Sequence, residues 1–359
     1  MLITLFSILA CIFLLLVVLL AFSPGKISPV LDESGKPPAG SISEKTHIII
    51  NGVELGMFIR SRDSANPVLL YLHGGMPEYF LSRKYPTSLE DHFTVVWWDQ
   101  RGSGISCRSD IKPETMTLAQ MISDTKEVTN YLRNRFSKDK IYLLGHSGGS
   151  FIGIHVAAES PELYHAYIGM AQMADQLKSE MLAWEYMLEQ YLKAGNKKMV
   201  RKLESAEVTM GNGTPEKYRA LRDPAMHSLG IGTTRKMTSV VSGIFLPSLM
   251  NREYTLREKI DMWRGKSRSG ISILWADMLS TDMSDRVPEL TIPVYFFEGI
   301  YDYTCSYTVA KSYFDKLKAP VKGFYSFGKS AHSPIFEEPD RFVEIMISDI
   351  INVTTTLAD

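Results

Sequence analysis

Six short apolar runs, at residues 68–72, 93–98, 141–144, 166–170, 294–297 and 323–327, recur along the chain with little polar alternation. A strand with one wet face alternates apolar and polar side chains; a run that does not alternate is covered on both faces. Segments with helical spacing lie between most of these runs, at 118–136, 151–159 and 307–317. Residues 47–50 and 53–59 flank Asn51-Gly52, the dipeptide that suits a tight hairpin turn, and add two more strands. The pattern predicts an α/β fold: a mostly parallel eight-stranded sheet, antiparallel only at its hairpin edge, with helices on both faces.

The rhythm breaks between about residues 176 and 286, where helical spacing persists and no strand run stands out. A helical cap inserted between two strands of one sheet accounts for this interval, and for a chain of 359 residues without a second independent domain. The expected organisation is a core in two parts, 46–175 and 287–359, split by a cap at 176–286. Twelve of the 18 methionines lie between Met170 and Met283. They suit either helix packing or an adaptable pocket wall. The formal net charge is −1, so nothing drives non-specific binding to nucleic acid, and none is expected as a partner. Three cysteines cannot build a disulfide framework, and no Cys/His spacing resembles a metal site.

Residues 1–22 contain no charged side chain. As a helix they would extend roughly 33 Å, enough to cross a hydrocarbon core of about 30 Å. A cleaved signal peptide is the competing reading, but no basic residue precedes the run and no A-x-A site follows it. The expectation is a single-pass transmembrane anchor, followed by a Pro/Gly-rich linker at 23–45. Lys26 and Lys36, offset by Asp32 and Glu33, specify no side of the membrane.

The chemistry gathers at strand ends. Residues 141–144 run into Gly145-His146-Ser147-Gly148-Gly149 and then a helical pattern, which is G-x-S-x-G in the strand–turn–helix setting of a nucleophilic serine. A serine needs a base to take its proton, and the base needs an acid to fix its tautomer. Asp302 follows the run at 294–297 and His332 the run at 323–327, in the expected order Ser, Asp, His; Asp175 is the rival acid. The oxyanion of a tetrahedral intermediate needs N–H donors, and Gly75, in His73-Gly74-Gly75 after 68–72, joins Gly148 as candidate. Arg101 and Asp99 of Asp99-Gln100-Arg101-Gly102-Ser103-Gly104 are read as braces between loops, and His73 and His146 as loop-holding histidines.

The succession His73-Gly74-Gly75, Trp98 to Ser106, Gly145 to Gly149, Asp302 and His332 resembles the proline iminopeptidase family of α/β-hydrolases over about residues 46–175 and 287–345. The resemblance implies an α/β-hydrolase core under a helical cap and a cofactor-free serine hydrolase of amide or ester bonds. Met76 stands where the family carries proline, and the W-x-x-W-E motif, beside which prolyl aminopeptidases place their amine-binding glutamates, is absent. An aminopeptidase-like hydrolase of short peptides is therefore one expectation, and a carboxylesterase for small or apolar esters the other. An exopeptidase must neutralise a buried substrate ammonium; Glu180, Glu185, Glu189, Glu204 and Glu207 are the cap carboxylates available early in the insertion.

Overall fold

The computed structural model describes residues 2–359, the side chains of Leu2, Ile3, Leu5 and Leu15 excepted. Eight strands form one sheet: β1 (Ile42–Ile50), β2 (Val53–Ser61), β3 (Val68–Leu72), β4 (Thr94–Trp98), β5 (Ile141–His146), β6 (Tyr164–Met170), β7 (Val294–Gly299) and β8 (Lys322–Phe327). Their order is β1-β2-β4-β3-β5-β6-β7-β8. Only β2 runs against its neighbours, and all pairings from β4 to β8 are parallel.

The unalternating runs follow from two cores, one on each face of the sheet. Leu70, Leu72, Val96, Trp98, Leu143 and Phe296 point into one; Leu69, Tyr71, Val95, Trp97, Leu144 and Phe297 point into the other. Successive residues of a strand face opposite ways, so both sets must be apolar. Each such side chain contributes roughly 1.5–3 kcal/mol on burial.

The interval after β6 is helical, as its spacing predicts, and among the described residues it adds no strand to the sheet. Its longer helices are Gln176–Lys193, Glu216–Ser228 and Leu256–Gly265. The two ends of the insertion meet: Asp175 bridges Asp282, and the Met283 N–H donates to the Ala174 carbonyl at 2.9 Å. The chain thus leaves and rejoins the core at one place, and the cap sits over the carboxyl ends of the parallel strands.

The amino-terminal expectation needs correction. Leu2–Ala21 is a single helix of 20 residues, but among the described residues no helix is long and apolar enough to cross a membrane. A transmembrane anchor is therefore not supported. The helix stops at Ala21, so at 1.5 Å per residue it reaches only about the bare thickness of a hydrocarbon core, and not all of its side chains are described.

The following segment, expected as a free linker, is packed against the cap. Buried Lys259 donates from Nζ to the Phe22 carbonyl at 2.6 Å, Ser23 Oγ at 3.0 Å and the Leu249 carbonyl at 2.5 Å. Burial lowers its pKa to about 8. The Gly25 N–H donates to the Arg252 carbonyl, and the Ser28 N–H to Glu253 Oε1. An ammonium out of water needs acceptors, and the turn after Ala21 supplies two of its three.

Candidate active site

Strand register decides which loops meet. Leu72 at the end of β3 is opposite Gly145 of β5, so the turn at Gly74-Gly75 emerges beside Ser147. A Cβ on Gly74 would lie 2.7 Å from Ser147 Cβ. Gly299 of β7 is opposite Phe327 of β8, which sets the loops carrying Asp302 and His332 side by side. A side chain at Gly299 would collide with the Ala331 carbonyl, so this approach requires glycine.

Ser147 has φ 55° and ψ −126° at the start of the helix Gly148–Glu159. Such a backbone costs an ordinary residue about 1–3 kcal/mol and persists only where its surroundings hold it. They do: the Ser147 N–H donates to the Met170 carbonyl at 3.0 Å, and its own carbonyl accepts from the Ser150 N–H at 2.8 Å and Ser150 Oγ at 2.5 Å. Gly149 has no room for a side chain, since a Cβ there would run into the Leu72 and His73 carbonyls. As the first residue of its helix, Gly148 carries an N–H with no intrahelical acceptor.

Behind His332, Asp302 is fully buried and triply fixed. Its Oδ2 lies 2.8 Å from His332 Nδ1, and its Oδ1 accepts the Thr304 and Cys305 N–H groups at 2.7 and 3.0 Å. Asp175 is elsewhere; its Oδ1 accepts the Lys178 N–H and caps the helix Gln176–Lys193. Gly75, Ser147, Gly148 and His332 all line one cavity of about 340 Å³ between sheet and cap. Gly74 and Gly75 follow β3, Ser147 follows β5, Met173 follows β6, Thr304 follows β7 and His332 follows β8. Crevices at the carboxyl ends of parallel strands are where such sheets bind ligands.

The alpha/beta hydrolase fold family matches residues 67–250. The chain belongs to this family. This α/β-hydrolase is 31% identical over 317 residues to the probable aminopeptidase YbaC of Bacillus subtilis (strain 168), covering 86% of this chain and 97% of the relative. It is 24% identical over 300 residues to the proline iminopeptidase of Heyndrickxia coagulans, covering 80% and 90% respectively. A solved proline iminopeptidase from Mycobacterium smegmatis superimposes with a TM-score of 0.61 at 17% identity, over 86% of this chain and 98% of that one. The likeness to proline iminopeptidases read from the motifs therefore stands.

Several polar groups of this α/β-hydrolase hold the site loops. His73 hydrogen-bonds through Nδ1 to the Gly74 carbonyl at 2.8 Å and accepts the Gln100 N–H at Nε2. Burial lowers its pKa to about 4 against that carbonyl bond, so it is neutral at pH 7. Arg101 forms a two-pronged pair with Asp124 at 2.5 and 2.8 Å, tying its loop to the helix Leu118–Phe136. Asp99 accepts the Ile105 N–H at 2.8 Å, and burial pushes its carboxyl up to about 8.

Beneath the site His146 holds a loop, as read from the sequence, through partners that the sequence did not disclose. His146 Nδ1 lies 2.7 Å from Glu78 Oε2, its Nε2 donates to the His332 carbonyl at 2.7 Å, and the Tyr71 hydroxyl donates to Glu78 Oε2 at 2.5 Å. Burial works against charge on His146, but the Glu78 carboxylate and the His332 carbonyl outweigh it and raise its pKa. The backbone of the His332 loop thus rests on the buried Glu78–His146 pair. Glu78 follows Pro77 as a lone acid in a loop, and no spacing rule singles it out.

The cap side of the cavity differs from expectation. None of Glu180, Glu185, Glu189, Glu204 and Glu207 lines it. Glu180 is buried behind the wall, bound by Gln176, Tyr218 and Arg222. Glu185, Glu189 and Glu204 are exposed on their helices, where acids gain most by facing water, and Glu207 is exposed in the loop after Lys197–Glu204. The acids that do line the cavity are Glu78 and Asp223, and each has a basic partner, His146 at 2.7 Å and Arg222 at 2.9 Å. Of the twelve methionines from Met170 to Met283, only Met173 and Met226 are among the cavity's lining residues. Cys305 is buried behind the site; burial, with Asp302 and Glu298 adding to it, holds its thiol well above the ordinary range, consistent with an inert group.

Proposed function

We propose that this α/β-hydrolase cleaves amide or ester bonds by two-step acyl transfer. His332 takes the proton of Ser147 Oγ as it attacks the substrate carbonyl, and the Gly75 and Gly148 N–H groups stabilise the oxyanion. His332 then protonates the leaving group and activates the water that releases the acyl group. Asp302 holds the imidazole tautomer and stabilises the imidazolium. The reading is carried by the strained Ser147 opening on a cavity shared with His332, whose Nδ1 is fixed by Asp302. No cofactor takes part in this scheme.

The first substrate reading is aminopeptidase-like cleavage of short peptides, supported by the names of the relatives. The second, a carboxylesterase acting on small or apolar esters, is favoured by the cavity lining: Glu78 is already hydrogen-bonded to His146 and Asp223 to Arg222, so neither is left unpaired for a substrate ammonium. One panel separates the two: prolyl and alanyl arylamides, each with free and blocked amine, beside p-nitrophenyl esters of rising chain length. The aminopeptidase reading requires loss of cleavage on blocking the amine; undiminished cleavage of blocked substrates leaves the esterase. No turnover of any member by the wild-type chain would refute the hydrolase scheme.

The proposed location is a membrane, reached through residues 2–21. What supports it is the uncharged composition of that helix and the exposure of side chains such as Phe6, Ile12, Phe13 and Leu14. Co-flotation of the full chain with lipid vesicles, lost on removing residues 1–21, is expected; a full chain that does not float with the vesicles would overturn the placement.

A further inference from the structure

Arg222 is a half-buried cation only partly used by the protein. Its Nε donates to Glu180 Oε2 at 2.6 Å and its Nη1 to Asp223 Oδ1 at 2.9 Å. Its Nη2 is enclosed, and among the described residues it has no hydrogen-bond partner. A guanidinium nitrogen removed from water without an acceptor loses the strongest hydrogen bonds it can make. An enclosed donor of this kind is usually met by a water or a ligand. Arg222 lines the cavity that contains Ser147 and His332, which places the donor in reach of a substrate.

A second cation shares that wall. Lys266 lines the same cavity and forms no ion pair with any carboxylate among the described residues. Its charge acts on both Asp223 and His227, so it sits at the Arg222 end. Glu180 is spent on its three donors behind the wall. Asp223, which also lines the cavity, gives Oδ1 to Nη1 and so steers the guanidinium while leaving Nη2 open. The remainder of the cavity is largely apolar, with Met226, Ile244, Ile271 and Trp275 on the cap side.

We propose that Arg222 and Lys266 form a subsite for a free carboxylate on the substrate, so that the preferred substrates are amides or esters bearing a second, uncleaved acid group. The planar N–H pair of Nη2 suits one carboxylate oxygen, and the flexible ammonium the other. The proposal rests on the hydrolase reading of Ser147 but not on the choice between amide and ester.

The test compares p-nitrophenyl esters matched in length, hemiglutarate against valerate, in wild type, Lys266→Gln and Lys266→Arg. Lys266 is exposed at the cavity rim and outside the buried Arg222–Glu180 network, so these variants avoid the folding risk of changing Arg222. Expected is a wild-type kcat/KM at least tenfold higher for the hemiglutarate. That ratio should fall about tenfold in Lys266→Gln, mainly through KM, and recover in Lys266→Arg. Glutarate should inhibit competitively in wild type and more weakly in Lys266→Gln. Equal wild-type rates on the two esters with no inhibition by glutarate would overturn the subsite. So would a Lys266→Gln ratio unchanged from wild type. If neither ester is turned over, the hydrolase reading is judged on the arylamides, and calorimetric titration of glutarate into wild type and Lys266→Gln still decides the subsite: no binding, or equal binding, rejects it.

Discussion

At the scale of single residues, Ser147 combines two properties that substitution can separate. Ser147→Ala removes the hydroxyl but keeps a Cβ at φ 55°, whereas Ser147→Gly removes both. Each should cut turnover by several orders of magnitude. Ser147→Gly should nevertheless be more stable than Ser147→Ala by roughly 1 kcal/mol, because release of strain exceeds the added flexibility of the unfolded chain. Thermal melts in which the alanine variant equals or exceeds the glycine variant would contradict the strain. The acids separate as cleanly. Asp302→Asn should lower kcat about a thousandfold or more by favouring the wrong tautomer of His332. Asp175→Ala should leave kcat near wild type and cost about 1 kcal/mol as a lost helix cap. The reverse result would exchange their roles.

Between elements, Glu337 joins the cap to the loop of His332. Its Oε1 accepts the Arg235 N–H at 2.6 Å and its Oε2 the Ala331 N–H at 2.8 Å. Burial raises its pKa to about 7 despite those bonds, and Asp302 adds to the effect. A carboxyl that holds its proton more tightly when folded contributes stability fully present below the unfolded value near 4.5. That contribution is lost as pH rises through about 7. Glu337→Gln mimics the protonated form. Urea titrations should therefore show the wild type losing stability relative to Glu337→Gln between pH 5 and 8; a constant gap would refute the assignment. This scale also shows what a sequence can and cannot disclose. The unalternating runs and G-x-S-x-G were legible because β-sheet geometry and a tight turn restrict residue choice locally. Asp302 and His332 were legible as polar residues just after apolar runs. Arg222, Lys266 and the Glu78 partner of His146 were not, because a charged residue on an amphipathic helix or loop reads as solvated until packing places it. Of the five cap glutamates, helix register turns Glu185, Glu189 and Glu204 to water and Glu180 onto Arg222, while Glu207 lies exposed in a loop.

For the molecule as a whole, the boundary between the terminal helix and the folded body falls at Phe22. Removing residues 1–21 should leave activity and melting temperature nearly unchanged. Removing 1–25 takes two of the three acceptors from Lys259 Nζ and should cost about 1–3 kcal/mol, seen as a melting temperature lower by a few degrees. Equal stability of the two truncations would show that this docking contributes nothing. The closure of the cap at Asp175 and Asp282 belongs to this scale too, since no local pattern indicates that residues so far apart in the chain share a bridge.

The sheet order has a consequence for how the molecule is made. β5 with Ser147 and β6 are complete before the cap, and β7 and β8 add to one open edge afterwards, in chain order and without threading. At roughly 5–20 residues per second, the ribosome takes on the order of ten seconds or more to get from Ser147 to His332. Throughout that time the nascent chain carries the Ser147 turn without His332. Under the acyl-transfer scheme proposed above, hydrolytic competence would therefore arrive at a single late event, the docking of the last strand, and a chain interrupted before β8 should be inert.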